Sequence, residues 1–116
     1  MGWIRRRRSV SRASDGPDMA IDLKAVKAHF GEFAGSRRGV EAYIEPATRY
    51  TATTVVLIAH DGEWTRRAVG TPAEGYRLAE ALRIPAYDVQ RTGYPQAMRD
   101  WTSRMRGVTH DDDGGV

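Results

Sequence analysis

The sequence predicts an α+β domain, with a mixed sheet of four strands and helices packed mainly on one face. Three observations support this class. A β-branched, apolar stretch at 53–59 leads into an Asp-Gly turn at 61–62, which is a strong hairpin signal. Residues 71–74 (Thr-Pro-Ala-Glu) form a capping box with proline at the first helical position. A short strand is predicted after that helix, at 86–89.

The predicted elements follow in the order α-β-β-β-α-β-α. Asp22 is placed to cap a first helix, which ends near Ala34. Residues 39–45 alternate with period two, and Tyr43 is on the predicted outward face. The stretch at 53–59 does not alternate, so we expect it to be central and covered on both faces. A last helix is predicted over 96–106.

Two further expectations concern the helix that starts at Thr71. Gly75 lies on its apolar face and would let the backbone approach the sheet closely. The strand–helix–strand step predicts that the last strand runs parallel to the strand before the helix.

The domain is predicted to span 19–106. The first 18 residues carry five Arg and no hydrophobic period, which predicts a disordered basic arm. An alternative is that Met19 is the true start. Residues 107–116 are predicted to be a flexible acidic tail.

Composition excludes several classes of protein. The 116 residues contain no cysteine, which excludes disulfides, cysteine nucleophiles and thiolate metal sites. The longest unbroken apolar run, at 55–59, is too short for a membrane span. We therefore expect a cytoplasmic protein that does not contact a membrane. The net charge of +3 gives only limited support for a polyanionic partner.

Few residues are arranged for catalysis. The three histidines are far apart in the chain and lack the spacing of metal ligands. No metal or cofactor is predicted. An alternative function is a small enzyme that acts near His60, Tyr87 and Asp88, because strand ends often position ligands. Turn chemistry gives Asp61 and His60 a purely structural explanation as well.

The favoured hypothesis is a small cytosolic binding or accessory protein, with nucleic acid, another polyanion or an acidic protein surface as its candidate partner. Arginine beside exposed aromatic rings suits phosphate contact and stacking, and the candidate residues are Trp64, Arg66, Arg67, Arg91 and Arg99. Adjacent strand residues point to opposite faces, so Arg66 and Arg67 cannot belong to one patch. The structural alternative is ion pairing with the nearby residues Glu41, Glu45 and Glu63 on a solvated face.

A third hypothesis is self-association, for example as a homodimer. Met98, Trp101 and Met105 lie on one stripe of the last predicted helix. The alternative is that this stripe covers the open side of the sheet.

Several stretches resemble known families. In element order, residues 22–84 resemble a double-stranded-RNA-binding domain. Residues 55–82, with a Gly-x-Trp hairpin and a Gly-Thr-x-x-Glu helix start, are similar to three-stranded-sheet DNA-binding domains of the integrase-arm type.

One resemblance covers about 20–106. It is carried by His-Asp-Gly-Glu-Trp-Thr-Arg-Arg at 60–67, Ile-Pro-Ala-Tyr-Asp-Val at 84–89 and Gly-Tyr-Pro-Gln-x-Met-Arg-Asp at 93–100. These segments resemble small α+β proteins of high-GC actinobacteria. The resemblance implies no established activity, and it favours Met19 as the start.

Overall fold

The computed structural model of the chain describes the backbone of residues 20–114 and the side chains of residues 20–107. The predicted basic arm and Met19 lie outside the described residues. The elements are α1 (Leu23–Ser36), β1 (Glu41–Glu45), β2 (Thr53–Ile58), β3 (Trp64–Gly70), α2 (Pro72–Leu82), β4 (Ala86–Asp88), α3 (Val89–Thr92) and α4 (Gln96–Gly114). This order confirms the α+β class and adds the short helix α3, which the sequence patterns did not predict.

The four strands form one mixed sheet in the order β3-β2-β1-β4. β2 is antiparallel to both β1 and β3, whereas β4 is parallel to β1. β4 therefore runs in the same direction as β3, as the strand–helix–strand step predicted. It lies at the far edge of the sheet, a position that the sequence left open.

The hairpin between β2 and β3 closes through a three-residue turn. Ala59 N–H donates to the Glu63 carbonyl at 2.8 Å, and the Asp61 carboxylate accepts from Glu63 N–H at 3.0 Å. Of the two turn residues predicted to tolerate positive φ, only Gly62 adopts it, with φ of 95°. The Asp-Gly signal thus identified the turn. Asp61 stabilises it through its side chain, and its backbone is not left-handed.

One face of the sheet is covered by α1 and α2. Asp22 caps α1 as predicted, since its carboxylate accepts from Ala25 N–H at 3.0 Å. Thr71 caps α2 by accepting from Glu74 N–H at 3.2 Å. The buried side chains between these helices and the sheet include Val26, Phe30, Phe33, Ile44, Val55, Leu57, Val69 and Leu78. This cluster is the larger of the two apolar clusters in the described part of the chain.

The opposite face is partly covered by α4. Met98 packs there in a second buried cluster with Tyr43, Val56 and Ile58. Tyr43, predicted to point outward, is only 6% exposed. The period-two pattern assigned it to the correct face, but it could not show that another element covers that face.

The last helix is longer than predicted. α4 runs to Gly114, eight residues beyond the predicted end at 106 and into the segment predicted as an acidic tail. Within the described residues, no helix is both long enough and apolar enough to cross a membrane.

Gly75 permits the close contact between α2 and the sheet. A Cβ atom at this position would lie 2.8 Å from Ile44 Cδ1 and 2.9 Å from Val55 Cγ2. Both neighbours are buried, so neither can move away without disturbing the core. The predicted close approach is confirmed.

The Gly75→Ala variant is therefore expected to lower the free energy of unfolding by about 1–3 kcal/mol, as overpacking of a core does. Urea denaturation measures this change. Gly31→Ala is the matched control, because Gly31 is also helical and has nothing within 4 Å of the added methyl group. It should stabilise the protein by about 0.5–1 kcal/mol. Equal effects of the two substitutions would contradict the packing argument.

Candidate functional site

A groove lies on the second face of the sheet, between β3 and α4. Its volume is ≈ 480 Å³. Its lining combines aromatic, cationic and hydroxyl side chains, namely Trp64, Arg66, Tyr94, Met98, Arg99, Thr102, Ser103 and Arg106. The groove thus brings together three of the five predicted binding residues.

Trp64 connects the two walls of the groove. It is the first residue of β3, and strand alternation directs its side chain to the second face. Its indole Nε1–H donates to Thr102 Oγ1 on α4 at 3.0 Å. This hydrogen bond holds the indole ring in one orientation within the groove.

Arg66 lies two residues further along β3 and on the same face. Its guanidinium carbon is 5.1 Å from the centroid of the Trp64 ring, within the range of a cation–π contact. The guanidinium also forms two parallel hydrogen bonds with the Glu45 carboxylate, at 2.8 and 2.9 Å. Hydrogen bonding to Glu45 raises the pKa of Arg66. The ion pair expected as the structural alternative is therefore present.

Glu45 is the acceptor on which several side chains converge. Besides Arg66, it accepts from Thr54 Oγ1 at 2.5 Å and from the Tyr94 hydroxyl. Burial by itself would raise the pKa of this carboxyl, but the hydrogen bonds from Arg66, Thr54 and Tyr94 outweigh burial and lower it. The pKa of Tyr94 is raised by burial and by its bond to Glu45. Glu45 is thus ionised at neutral pH, and its charge is paired with that of Arg66.

Arg99 and Arg106 provide positive charge that no carboxylate balances within residues 20–107. Arg99 donates to two neutral acceptors, the Tyr94 carbonyl at 3.0 Å and Gln96 Oε1 at 3.0 Å. Arg106 has no salt bridge among these residues. The two arginines are seven residues apart on α4, which places them on one helix face about 10.5 Å apart.

The other two predicted binding residues lie elsewhere. Arg67 is on the opposite face of β3, where its guanidinium donates to Thr65 Oγ1 and to the Arg66 carbonyl. Arg91 is exposed on α3, which follows the edge strand β4 and does not line the groove. The predicted separation of Arg66 from Arg67 holds, but Arg91 does not join the cluster of Arg66 and Arg99.

The structure does not bring the three enzymatic candidates together. His60 lies just beyond the end of β2 that pairs with the start of β1, whereas Asp88 pairs with Ile44 near the end of β1. The two are separated by about five residues along β1, or roughly 16 Å. Asp88 caps α3 by accepting from Gln90 N–H at 2.9 Å, and Tyr87 packs its ring 5.3 Å from that of Tyr43. These roles are structural.

The stripe proposed for self-association is divided between the core and the surface. Met98 is only 8% exposed because it packs on the sheet, whereas Met105 is 42% exposed. Trp101 is half-buried beside the hairpin tip. The alternative, that the stripe covers the open side of the sheet, therefore holds for Met98.

A second cleft lies on the other face, between α1 and α2, with a volume of ≈ 460 Å³. Leu23, Leu78 and Ala81 give it an apolar floor, and Lys24 and Lys27 lie at its rim. It has no aromatic side chain in its lining. Within the part of the chain that the structure describes, no group of three His, Asp or Glu residues is placed to hold a metal ion.

Sequence reasoning did not select Tyr94 or Arg106 as binding residues, and it considered Glu45 only as an ion-pair partner. The spacing of seven between Arg99 and Arg106 was visible and could have paired them on one helix face. The contact between Tyr94 and Glu45 had no local signal, because 49 residues separate them in the chain.

Fold and groove together define a small α+β domain with a basic, aromatic groove on one face of its sheet. No protein-family model, curated protein or solved structure matches the chain. The resemblances to actinobacterial, RNA-binding and DNA-binding families therefore stay predictions.

Replacement of Glu45 tests the carboxylate network. Glu45→Gln is expected to lower the free energy of unfolding at neutral pH by about 1–2 kcal/mol. This is the lower part of the range for hydrogen bonds to charged groups, because the Arg66 side chain is 42% exposed. Urea denaturation measures the loss. Glu80→Gln, on the exposed side of α2, makes the same charge change and should alter stability by less than about 0.5 kcal/mol.

The effect of Glu45→Gln on the free energy of unfolding is expected to depend on pH. The folded pKa of Glu45 lies below its unfolded value of about 4.3. Its stabilising contribution is therefore complete above that pH and is lost as the pH falls through the folded pKa. The stability difference between the wild type and Glu45→Gln should shrink in acid. A difference that stays constant from about pH 7 to about pH 3 would contradict this role.

Proposed function

We propose that the protein is a small cytosolic binding or accessory protein whose groove holds a polyanion. One observation carries the proposal. Arg66, Arg99 and Arg106 line the same groove as Trp64, and neither Arg99 nor Arg106 has a carboxylate partner within residues 20–107.

The placement of charge favours a chain of anionic groups over a single small anion. Arg99 and Arg106 are two helical turns apart, about 10.5 Å along α4. One phosphate can contact one of these guanidinium groups, whereas successive phosphates of a chain can contact both. Charges lining a concave surface also focus the electrostatic field there, which favours anion capture over an equal charge on a flat surface.

The arginines of the groove have different hydrogen-bond partners, and this difference supports the same function. Arg66 is held by Glu45 and keeps its position against the indole ring. Arg99 is held only by neutral acceptors, so its net charge is available to a ligand. Thr102 and Ser103 add hydroxyl groups between Arg99 and Arg106 on the same wall, and hydroxyl groups donate well to phosphate oxygens.

Substitution of single arginines tests this function with inorganic polyphosphate as the probe. Arg99→Gln and Arg106→Gln are each expected to weaken binding about threefold or more. Each should also reduce the slope of log K against log salt by about 1, because one phosphate contact is lost. Isothermal titration calorimetry at several salt concentrations measures both quantities.

Arg67→Gln and Arg91→Gln are the matched controls. They make the same change in net charge, but Arg67 lies on the opposite face and Arg91 lies outside the groove. Their affinity should stay close to that of the wild type. Equal losses of affinity in all four variants would show that net charge alone drives binding. An affinity that does not change with salt concentration would contradict a groove that contacts phosphates.

A further inference from the structure

We infer that the polyanion is a single-stranded nucleic acid, with its phosphates on α4 and an unpaired base against Trp64. This inference rests on the proposed function and specifies the ligand of the same groove. It depends on one observation, which is that the β3 wall and the α4 wall of the groove differ in chemistry.

The sheet side of the groove offers the indole of Trp64 beside Arg66, whose charge is paired with that of Glu45. Tyr94, just before α4, and the buried Met98 of α4 add aromatic and apolar surface to the same groove. The helix side is cationic, with Arg99 and Arg106. A polyphosphate chain would use only the helix side. A nucleic acid strand has one component for each side, because its backbone is anionic and every base offers an apolar, polarisable face.

The Trp64 ring is already fixed for stacking. Its Nε1–H is held by Thr102, and the Arg66 guanidinium overlies the ring at 5.1 Å. Bases stack both on indole rings and on guanidinium planes, so this pair forms a composite platform. Glu45 holds the guanidinium in place by accepting two hydrogen bonds at its edge. A platform that is rigid before binding loses little entropy when a base stacks on it.

The shape of the site favours a single strand over a duplex. In a duplex, both faces of each base are covered by neighbouring bases, so only an unpaired base can present a face to an indole ring. The groove is recessed between β3 and α4 and has a volume of ≈ 480 Å³. This is within the size range of small-molecule sites, roughly 300–1,000 Å³, which suits one base and its sugar.

Three probes separate this inference from the proposed function. They are a short oligothymidylate, an abasic deoxyribose-phosphate strand of the same length, and inorganic polyphosphate. The oligothymidylate is expected to bind about tenfold more tightly than the abasic strand, because only it can stack. Trp64→Leu should abolish this difference, whereas Arg99→Gln should weaken both strands by the same factor.

A spectroscopic readout avoids any dependence on the folding of the Trp64 variant. The chain has three tryptophans, so a Trp3→Phe, Trp101→Phe double variant leaves Trp64 as its single indole. Stacking of thymine on that indole should quench its fluorescence. The abasic strand should leave the fluorescence unchanged at the same saturation of the protein.

The outcomes are distinguishable. Equal affinity for the oligothymidylate and the abasic strand, without quenching, would overturn the single-stranded ligand and leave the polyanion groove intact. Tighter binding of a duplex than of its single strand would also overturn it. If none of the three probes binds, both the inference and the proposed function fail.

Discussion

The half-buried carboxylate of Glu45 is the constraint on which the second face of this sheet depends. It joins the end of β1 to Thr54 on β2, Arg66 on β3 and Tyr94 in the segment that leads into α4. A charge taken from water is tolerated only if its hydrogen-bonding capacity is satisfied. Removal of one donor would leave a partly buried charge short of partners, so the network holds β1, β2, β3 and the start of α4 together.

A second constraint acts at the hairpin tip. Gly62 is buried against α4, and a Cβ atom there would lie 2.0 Å from the Ala97 carbonyl oxygen and 2.9 Å from Trp101 Cβ. Glycine is therefore required both for its positive φ and for this approach. Tyr94, just before α4, is held at Glu45, and the first turn of α4 is held against Gly62. The helix therefore crosses β3 at a defined position. The groove is the space left beside that crossing.

Much of the fold was readable from local patterns because local chemistry decides it. The Asp-Gly turn, the threonine cap of α2 and the close approach at Gly75 each depend on residues near one another in the chain or on the size of one side chain. The patterns failed where distant segments meet. They could not show that α4 would bury Tyr43, or that β4 would add beside β1 at the far edge of the sheet.

The candidate site, like the fold, was predictable only where local patterns decide it. By itself the sequence determined which residue types were available, and period two placed Arg66 and Arg67 on opposite faces. Only the tertiary structure decided that Glu45 pairs with Arg66, that Arg99 and Arg106 lack a carboxylate partner within residues 20–107, and that Arg91 lies outside the groove. The physical reason is that periodicity specifies which face of an element a side chain occupies. Which remote segment covers that face depends on packing and hydrogen bonds between residues far apart in the chain.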